Sequence, residues 1–437
     1  MKIMNLKIQM KMKLRCLLLS ISGPSNKFLE TFDELEQLCK TLNFEIVDRI
    51  FQKKLKPDPK FYLGKGKLEK IKTLIKNVSI DCVVFNDNLN PIQRKNIENF
   101  LDIKVFDRTE IILEIFSKHA HTNEGKLQVE IAKLNYMLPN IQGKGKELSR
   151  LGGGTGTRGP GEKELEYSKR YIKNRIKILK NNLKKLENER QINRKKRIKS
   201  KITKISIVGY TNAGKTTLLS ILTKEKLKSK NEMFTTLTTL SRKVKLPSGR
   251  SVIFSDTVGF IRNLHPMIIE AFHSTLEEIK FSDIILILND ASDFEFEKKL
   301  NTVFKTLESL KVYDKPYLLV FNKIDLIPFE HLDYLKKRFS NSAFISSTKN
   351  INIDKLLLKI DKLIDKISKQ KIIRLKNVDF YILYKYRDLI NFNILDVQGD
   401  NFIVKLNGPE DLISKITKEA NWWKNYWIYS WYSFYLF

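Results

Sequence analysis

Short apolar runs alternate with longer amphipathic segments over the first 120 residues of the chain. The apolar runs have the length of strands and lie at 14–21, 44–50, 81–85 and 105–106. Between them, apolar residues recur at the helical period in 28–42, 67–76, 91–101 and 110–117. Strands that alternate with helices of about ten to fifteen residues predict a small parallel α/β domain. No glycine-rich turn follows the first strand, so nothing there predicts a dinucleotide site.

The helical pattern continues through 126–138 and is expected to end at Pro139, because proline disrupts a helix interior. A glycine-rich run at 152–161 follows and predicts a loop. Beyond it, apolar residues spaced four, three, four and three apart form a heptad seam: Ile172, Ile176, Leu179, Leu183 and Leu186. Two helices joined by a loop predict an antiparallel hairpin.

The second half returns to strand-like apolar runs. They lie at 205–208, 251–255, 317–321 and 343–345, and a helix is predicted over 217–222. Near the end of the chain, 380–384, 391–395 and 401–406 resemble short strands of a small α/β piece. The pattern does not indicate a role for that piece.

The first of these strands leads into Gly209-Tyr-Thr-Asn-Ala-Gly-Lys-Thr216, a G-x-x-x-x-G-K-[ST] phosphate loop. Its glycines let backbone N–H groups surround phosphate oxygens, Lys215 reaches the β- and γ-phosphates, and the Thr216 hydroxyl ligates Mg²⁺. A strand, loop and helix in this order direct the positive end of the helix at a bound anion. The run therefore predicts a Mg²⁺-dependent nucleotide site.

Two further motifs follow predicted strands and indicate which base is bound. Asp256-Thr-Val-Gly259 supplies a carboxylate for the outer shell of Mg²⁺ and a glycine whose N–H can approach a γ-phosphate. In Asn322-Lys-Ile-Asp325, the carboxylate of Asp325 accepts from the ring N–H and the exocyclic amine of guanine, which adenine lacks. Alone, this second motif equally suits an ordinary loop. Its order after the first two motifs favours a GTP site.

The remaining elements of such a site match less closely. Ser346-Ser-Thr348 fits a base-contacting Ser-Ala-Lys loop only loosely, since its central residue is serine. The run 233–239 contains four threonines, from which we choose Thr236 as the second protein ligand of Mg²⁺, with Thr235 next. The alternative is that these threonines are strand formers.

Phe260 occupies the position where many small GTPases carry a water-orienting glutamine. A phenyl ring cannot orient water by hydrogen bonding, so either intrinsic hydrolysis is slow or another group completes the site. Asn212 resembles the asparagine with which some GTPases hold K⁺ against the phosphates. The alternative is that Asn212 only stabilises the loop turn.

Together these motifs define the predicted site. The predicted nucleotide contacts are Gly209, Tyr210, Thr211, Asn212, Ala213, Gly214, Lys215, Thr216, Thr217, Phe234, Thr235, Thr236, Asp256, Thr257, Val258, Gly259, Asn322, Lys323, Ile324, Asp325, Ser346, Ser347 and Thr348. The predicted metal ligands are Thr216, Thr236 and Asp256, and the predicted catalytic residues are Lys215, Thr236, Gly259 and Asn212.

The net charge of 80 − 49 = +31 favours a polyanionic partner, although Lys-, Ile- and Asn-rich composition is also typical of AT-rich genomes. Between residues 161 and 201 the balance is 16 − 5 = +11. That segment suits either a solvated helix face or an arm that binds RNA phosphates. The three cysteines, Cys16, Cys39 and Cys82, lack metal-binding spacing and fit a reducing compartment.

The two ends of the chain differ from the rest. A basic start at 1–15 and an apolar run at 16–21 resemble a signal peptide, but the run is too short and lacks a cleavage site. We interpret the apolar run as the first strand. Residues 421–437 contain all four tryptophans and are too few to span a bilayer as a helix. They suit either a stacking platform for bases or an extension packed on the preceding domain.

Several longer motifs resemble the HflX family of GTPases, which belongs to the translation-factor-related P-loop class. They are Lys56-Pro-Asp-Pro59, Tyr62-Leu-Gly-Lys-Gly-Lys67, Phe106-Asp-Arg-Thr109, Glu124-Gly-Lys-Leu-Gln-Val-Glu130, the glycine-rich run at 152–162, Asp256-Thr-Val-Gly-Phe-Ile-Arg262 and Glu270-Ala-Phe-His-Ser-Thr-Leu-Glu-Glu278. The resemblance extends from about residue 14 to residue 415 and leaves out both ends of the chain.

The resemblance implies a protein that hydrolyses GTP and binds the large ribosomal subunit, both rRNA and protein. Members of the family direct the helical region and its loop toward the peptidyl-transferase centre and split stalled or idle ribosomes into subunits. We accordingly expect a cytoplasmic monomer, partly associated with ribosomes and not with membranes. Two rivals stay open: a GTPase of large-subunit assembly, and a nucleotide-dependent RNA remodeller that uses ATP through its N-terminal domain.

The expected architecture is α/β, with a P-loop GTPase domain that follows a small parallel α/β domain and a helical coiled-coil hairpin. The expected segments are a basic extension (1–13), an N-terminal α/β domain (14–120), a hairpin with a glycine-rich loop (121–200), the GTPase domain (201–370), a small C-terminal α/β domain (371–420) and an aromatic tail (421–437).

Overall fold

The computed structural model of the protein describes residues 13–22, 28–148, 160–198, 202–225, 233–234, 240–262, 265, 267–268 and 276–420. The chain divides into two compact units. The first contains residues 1–190, 230–238 and 263–274, and the second contains 191–229, 239–262 and 275–437. The units are therefore not continuous in sequence, because two short segments, 230–238 and 263–274, belong to the first unit.

The first unit is built on a parallel four-stranded sheet in the order β2-β1-β3-β4. Its elements are β1 Arg15–Ser22, α1 Phe28–Thr41, β2 Glu45–Lys53, α2 Lys65–Asn77, β3 Cys82–Phe85, α3 Pro91–Leu101, β4 Lys104–Asp107 and α4 Arg108–His119. Leu17, Leu19 and Phe85 are fully buried in its core. The alternation predicted from the sequence is confirmed. Cys16, Cys39 and Cys82 are buried free thiols.

Two long helices follow, α5 Asn123–Leu148 and α6 Pro160–Ile198, and the first unit includes them as far as residue 190. The expectation that the first of them ends at Pro139 is wrong, because the helix continues past this residue. Proline removes one backbone donor, and helical turns on both sides of it keep the chain helical here. In α6, Ile172, Ile176 and Leu179 are buried, as the heptad seam predicts. Arg175 on this helix forms an ion pair with Glu130 on α5.

The second unit contains a six-stranded sheet in the order β10-β9-β8-β5-β7-β6, in which only β6 is antiparallel. Its elements are β5 Thr203–Gly209, α7 Lys215–Thr223, β6 Leu240–Lys245, β7 Ser251–Asp256, β8 Ile284–Asp290, α8 Phe296–Ser309, β9 Tyr317–Asn322, α9 Phe329–Arg338, β10 Ala343–Phe344 and α10 Ile353–Ile367.

This sheet is buried on both faces. Leu286 packs with α7 and α10 on one face, whereas Ile285 and Ile287 pack with α8 and α9 on the other. Continuous apolar strands are what a doubly covered parallel sheet requires. The phosphate loop leaves the carboxyl end of β5, between its neighbours β7 and β8, where α/β sheets bind ligands. The predicted fold class is confirmed.

A three-stranded antiparallel sheet ends the second unit, in the order β11-β13-β12. Its elements are β11 Lys369–Lys376, α11 Tyr381–Tyr386, β12 Asn391–Gln398, β13 Asn401–Gly408 and α12 Glu410–Ala420. The predicted strand at 380–384 is wrong, since this segment lies at the start of α11. Ile382, Leu383 and Tyr386 pack into the core at helical spacing, and this packing overrides the strand propensity of the aromatic residues. Sequence reasoning missed β11 because lysines surround its two buried residues.

The small sheet is bonded to the edge of the six-stranded sheet. The N–H of Ser251, the first residue of β7, donates to the carbonyl of Asp388 at 2.8 Å. The Lys243 ammonium on β6 contacts the Asp388 carboxylate at 3.1 Å. Residue 388 thus contacts both strands of the hairpin that precedes Asp256.

Among the described residues, no helix combines the length and the apolar character that crossing a membrane requires.

Candidate active site

The phosphate loop has the backbone that its glycines and asparagine predict. Gly214 has a φ of +93°, and a Cβ at this position would overlap the side-chain amide of Asn322. Asn212 is exposed and has a φ of +64°, a left-handed conformation that asparagine tolerates better than most residues. Ala213, the next residue of the loop, is buried. The loop therefore forms a turn before α7 begins at Lys215.

The ammonium of Lys215 points into the loop. Its Nζ donates to the carbonyls of Gly209 at 3.2 Å and of Tyr210 at 2.9 Å. Burial lowers the pKa of Lys215 from its ordinary value of 10.5 to about 8, and the Asp256 carboxylate opposes that shift. A buried cation whose described hydrogen bonds are to neutral carbonyls is prepared for an anionic ligand.

The two described members of the predicted metal site are adjacent. The hydroxyl of Thr216 donates to Oδ2 of Asp256 at 2.8 Å, and Asp256 is fully buried at the end of β7. Mg²⁺ typically binds a few protein oxygens together with substrate phosphates. In the described parts of the chain, no cluster of three or more His, Cys, Asp or Glu residues could hold a metal. The oxygen pair therefore fits Mg²⁺ that is shared with a nucleotide.

Asn322 joins three of the predicted motifs. Its Nδ2 donates to the carbonyl of Ala213 in the phosphate loop at 2.8 Å. Its Oδ1 accepts from the backbone N–H of Ser347 at 2.9 Å. The phosphate loop, the Asn322–Asp325 motif and the Ser346–Thr348 loop consequently meet around one buried side chain.

The Asn322–Asp325 motif presents the carboxylate of Asp325 to solvent. Asp325 is exposed within a short 3₁₀ helix, Ile324–Leu326, and Lys323 has a φ of +63°. The Lys323 ammonium lies 2.7 Å from Oδ2 of Asp290, a partner that sequence reasoning missed. Asp290 is the last residue of β8, which lies next to the strand that leads into the phosphate loop. A carboxylate at the end of such a strand was the sequence signal that could have identified it as a site residue.

The Ser346–Thr348 loop lies beside this motif. Ser346 and Ser347 are buried, and the Ser346 hydroxyl accepts from the backbone N–H of Lys349 at 3.1 Å. The two hydroxyls of Ser346 and Thr348 are 3.3 Å apart. The loop therefore lies next to the Asn322–Asp325 motif, and its contact with the base stays a prediction.

The segment 256–262, which we call the second switch segment, packs closely on the phosphate loop. A Cβ on Gly259 would lie 2.8 Å from Cγ2 of Thr211 and 3.0 Å from Nζ of Lys215. Thr257 and Val258 are buried, and the Thr257 hydroxyl donates to the carbonyl of Ile207 in β5. Only a glycine permits such an approach between residue 259 and the lysine.

Phe260 is anchored in the core and only 2 % exposed. It packs in the cluster that contains Val208, Ile279 and Ile285. The phenyl ring therefore forms part of the hydrophobic core.

The predicted threonine ligands Thr235 and Thr236 lie outside the described residues. The two residues before them belong to the first unit. The N–H of Met233 donates to the hydroxyl of Thr41 at 3.2 Å, and Phe234 packs edge-to-face on Phe116 with centroids 4.7 Å apart. Phe234 is therefore buried against an aromatic residue of α4.

Family comparisons match most of the chain. A family described as GTP-binding GTPase N-terminal matches residues 29–117, and one described as GTP-binding GTPase Middle Region matches residues 119–197. A third, described as 50S ribosome-binding GTPase, matches residues 204–323.

Individual relatives agree with these families. A GTPase HflX of Caldanaerobacter subterraneus subsp. tengcongensis is 44% identical over 78% of this chain and 78% of its own. The GTPase HflX of Escherichia coli is 34% identical over 78% of this chain and 81% of its own. A crystal structure of a GTP-binding protein from Sulfolobus solfataricus with GDP is 29% identical and covers 82% of this chain and all of its own, with a TM-score of 0.45. The chain belongs to the HflX family of GTPases.

Proposed function

We propose that the protein is a Mg²⁺-dependent GTPase that docks on the large ribosomal subunit in its GTP-bound form and splits stalled or idle ribosomes. The proposal rests chiefly on the contacts of Asn322. Its buried amide is hydrogen-bonded both to Ala213 in the phosphate loop and to Ser347 in the Ser346–Thr348 loop. This arrangement supports a site in which phosphate and guanine recognition are coupled.

Each part of the nucleotide would meet a specific group. The carboxylate of Asp325 would accept from guanine, and the Lys215 ammonium would leave its two carbonyl partners for the β- and γ-phosphates. Thr216 would bind Mg²⁺ directly, with Asp256 behind it and Thr236 as the second threonine. The bound metal would neutralise phosphate charge during hydrolysis.

Hydrolysis would release the segments that the γ-phosphate orders. Gly259 already lies against Lys215, so a γ-phosphate bonded to this lysine would meet the Gly259 backbone. Loss of the γ-phosphate removes this contact, as in other GTPase switches. Because Phe260 is buried, orientation of water would require another group, and ribosomal contact would supply or position it.

Helix α6 supports the ribosomal part of the proposal. Three seam residues, Ile172, Ile176 and Leu179, are buried, and Leu183 and Leu186 are partly buried. The remaining faces of the helix expose a series of cations: Arg170, Lys173, Lys177, Lys180, Lys184 and Lys185. A helix with one packed stripe and many exposed cations suits binding to RNA phosphates. Together with a family description that names the 50S subunit, this favours rRNA as the partner of α6.

Co-sedimentation with purified large subunits tests the proposal. We expect the protein to pellet with a non-hydrolysable GTP analogue and to stay in the supernatant with GDP. Large subunits should also stimulate its GTP hydrolysis, and release of subunits from intact ribosomes, followed by light scattering, should require GTP. Absence of nucleotide-dependent pelleting would contradict ribosome binding, and pelleting without subunit release would favour a role in assembly.

A charge-reversal variant of α6 tests the role of this helix. Replacing Lys173, Lys177 and Lys184 by glutamate should reduce subunit binding by at least about tenfold and make it less salt-dependent. The matched control replaces three exposed lysines of α10, Lys355, Lys362 and Lys366, by glutamate. Equal losses in both variants would mean that net charge alone, rather than α6, determines binding.

A further inference from the structure

Tyr210 is the second residue of the phosphate loop, a position that the motif leaves open. Its side chain is buried, and its hydroxyl oxygen accepts a hydrogen bond from the backbone N–H of Arg262 at 2.8 Å. Arg262 is the last residue of the second switch segment. A side chain of the phosphate loop is thus bonded to the backbone of the segment that must approach the γ-phosphate.

Two backbone hydrogen bonds extend this connection. The N–H of Thr211 donates to the carbonyl of Phe260 at 2.8 Å, and the N–H of Phe260 donates to the carbonyl of Gly209 at 3.0 Å. Residues 210 and 260 therefore pair as in a short parallel bridge. The hydrogen bond between the Tyr210 hydroxyl and the Arg262 N–H adds a third connection between the same two segments, two residues beyond this bridge.

The connection includes helix α8 and the loop before it. The Lys299 ammonium lies 5.2 Å from the centroid of the Tyr210 ring, within the range of a cation–π contact. The Arg262 guanidinium lies 3.0 Å from the carboxylate of Glu295. The phenol and the segment it holds are therefore both supported from the same side.

The second switch segment lies in close contact with the phosphate loop at Gly259. Gly259 approaches Thr211 and Lys215 so closely that no Cβ would fit. Phe260 offers no polar side chain to the attacking water. Hydrolysis must then depend on where the backbone of residues 259–260 lies relative to the phosphates, because no side chain there compensates for a displacement.

We infer that Tyr210 is a positioning residue for GTP hydrolysis, which acts through the backbone of Arg262 to fix the second switch segment against the phosphate loop. Nζ of Lys215 donates to two backbone carbonyls and the Thr216 hydroxyl donates to Asp256, whereas the Tyr210 hydroxyl accepts from the backbone of Arg262. Loss of this hydroxyl should affect hydrolysis far more than nucleotide affinity.

The substitution Tyr210→Phe tests this inference, because it keeps the ring and its contact with Lys299 and removes only the hydroxyl. We expect the single-turnover rate of GTP hydrolysis to fall about tenfold, since the N–H of Arg262 loses its acceptor. The Kd values for fluorescent GDP and for a fluorescent non-hydrolysable GTP analogue should stay within about twofold of wild type. Both measurements use the full chain without ribosomes.

Tyr62→Phe is the matched control. Tyr62 is also buried, its hydroxyl donates to the Asp87 carboxylate, and its ring packs edge-to-face on Phe85. It lies in the core of the first unit, whereas the phosphate loop belongs to the second, so its variant should leave the hydrolysis rate and both Kd values unchanged.

Two results would overturn the inference. An unchanged hydrolysis rate in Tyr210→Phe would show that the hydroxyl does not position the segment. A fall in affinity equal to the fall in rate would assign the hydroxyl to nucleotide binding. Thermal melting of both variants distinguishes a purely structural role from a positioning role. A purely structural role would lower the melting midpoint of Tyr210→Phe and leave its rate of GTP hydrolysis at 25 °C unchanged.

Discussion

The buried guanidinium of Arg250 lies 2.6 Å from the carboxylate of Asp365. Arg250 is in the turn between β6 and β7, and Asp365 is near the end of α10. The same carboxylate accepts from the side-chain amide of Asn391 at 3.3 Å, at the start of β12. One carboxylate therefore joins the hairpin that precedes Asp256, the last helix of the GTPase sheet and the small C-terminal sheet.

Removing this carboxylate should destabilise the second unit. Asp365→Ala leaves a guanidinium that is 2% exposed without its nearest counter-charge, and the carboxylate itself is 27% exposed. We expect a loss of about 2–3 kcal/mol, somewhat below the cost of breaking a fully buried pair. The urea midpoint of unfolding, at unchanged slope, measures the effect.

Asp333→Ala is the control for this experiment. Its partner Lys337 is 78% exposed and Asp333 itself is 46% exposed, so this ion pair should contribute little to stability. Equal urea midpoints for the two variants would mean that the contact of Asp365 with Arg250 stabilises the fold no more than an exposed ion pair does.

Gly214→Ala should abolish nucleotide binding. The new methyl group would overlap the Asn322 amide, and the backbone has a φ of +93°. We expect at least about a hundredfold weaker binding of fluorescent GDP, because the strain falls on the contact between phosphate loop and base loops. Gly249→Ala isolates the backbone effect, since its φ is +85° and nothing lies within 4 Å of the new group. Similar losses in both variants would argue against the Asn322 contact as the cause.

Asp325→Asn should change the base that is bound. An amide replaces the acceptor for the guanine N–H with a group that can donate to the additional carbonyl of xanthine. We expect GTP affinity to fall by about a hundredfold and XTP affinity to rise, as seen in competition against a fluorescent analogue. Unchanged GTP affinity would remove Asp325 from the base site.

Nucleotide affinity should weaken above about pH 8. In the empty site the pKa of Lys215 is about 8, so about a tenth of the lysine is protonated at pH 9. Phosphate binding requires the ammonium, and we expect GDP to bind about tenfold more weakly at pH 9 than at pH 7. Lys215→Met should bind weakly at both values and show a smaller dependence, since titration of guanine affects both proteins equally.

The same pKa shift predicts an opposite trend for stability. The folded pKa of Lys215 is lower than its ordinary value of 10.5, so between about pH 8 and 10.5 the unfolded chain binds more protons than the folded chain. The contribution of Lys215 to the free energy of unfolding therefore rises with pH across this window. A flat difference between wild type and Lys215→Met from pH 8 to 10 would contradict the lowered pKa.

Potassium dependence decides between the two interpretations of Asn212. Its φ of +64° is compatible with a role in the loop turn alone. If its amide also holds K⁺ against the phosphates, replacing potassium by sodium should slow GTP hydrolysis about tenfold in the wild type and much less in Asn212→Ala. Equal rates in the two salts would leave only the structural role.

Local patterns predicted the four strands of the first sheet, four of the six strands of the second sheet and the phosphate loop, because strand periodicity and glycine spacing depend on neighbouring residues. They missed β6 and β8. They failed where distant packing decides, as in α11, whose aromatic residues favour a strand until Ile382 and Leu383 meet the core. The contact of Arg250 with Asp365 spans 115 residues and has no local signal. The Asn322 contact with Ser347 is similarly non-local. The assignment of Mg²⁺ to Thr236 stays a prediction.

The hydrogen bond between Ser251 and Asp388 makes β7 a shared element. One end of this six-residue strand is bonded to the connection between α11 and β12, and the other end carries Asp256. A ligand that displaced residue 388, and β7 with it, would change the free energy of placing this carboxylate beside Thr216. Such linkage is reciprocal, so occupation of the nucleotide site would change the affinity of that ligand by the same factor. A ligand bound at the connection between α11 and β12 would then be thermodynamically linked to the GTP site.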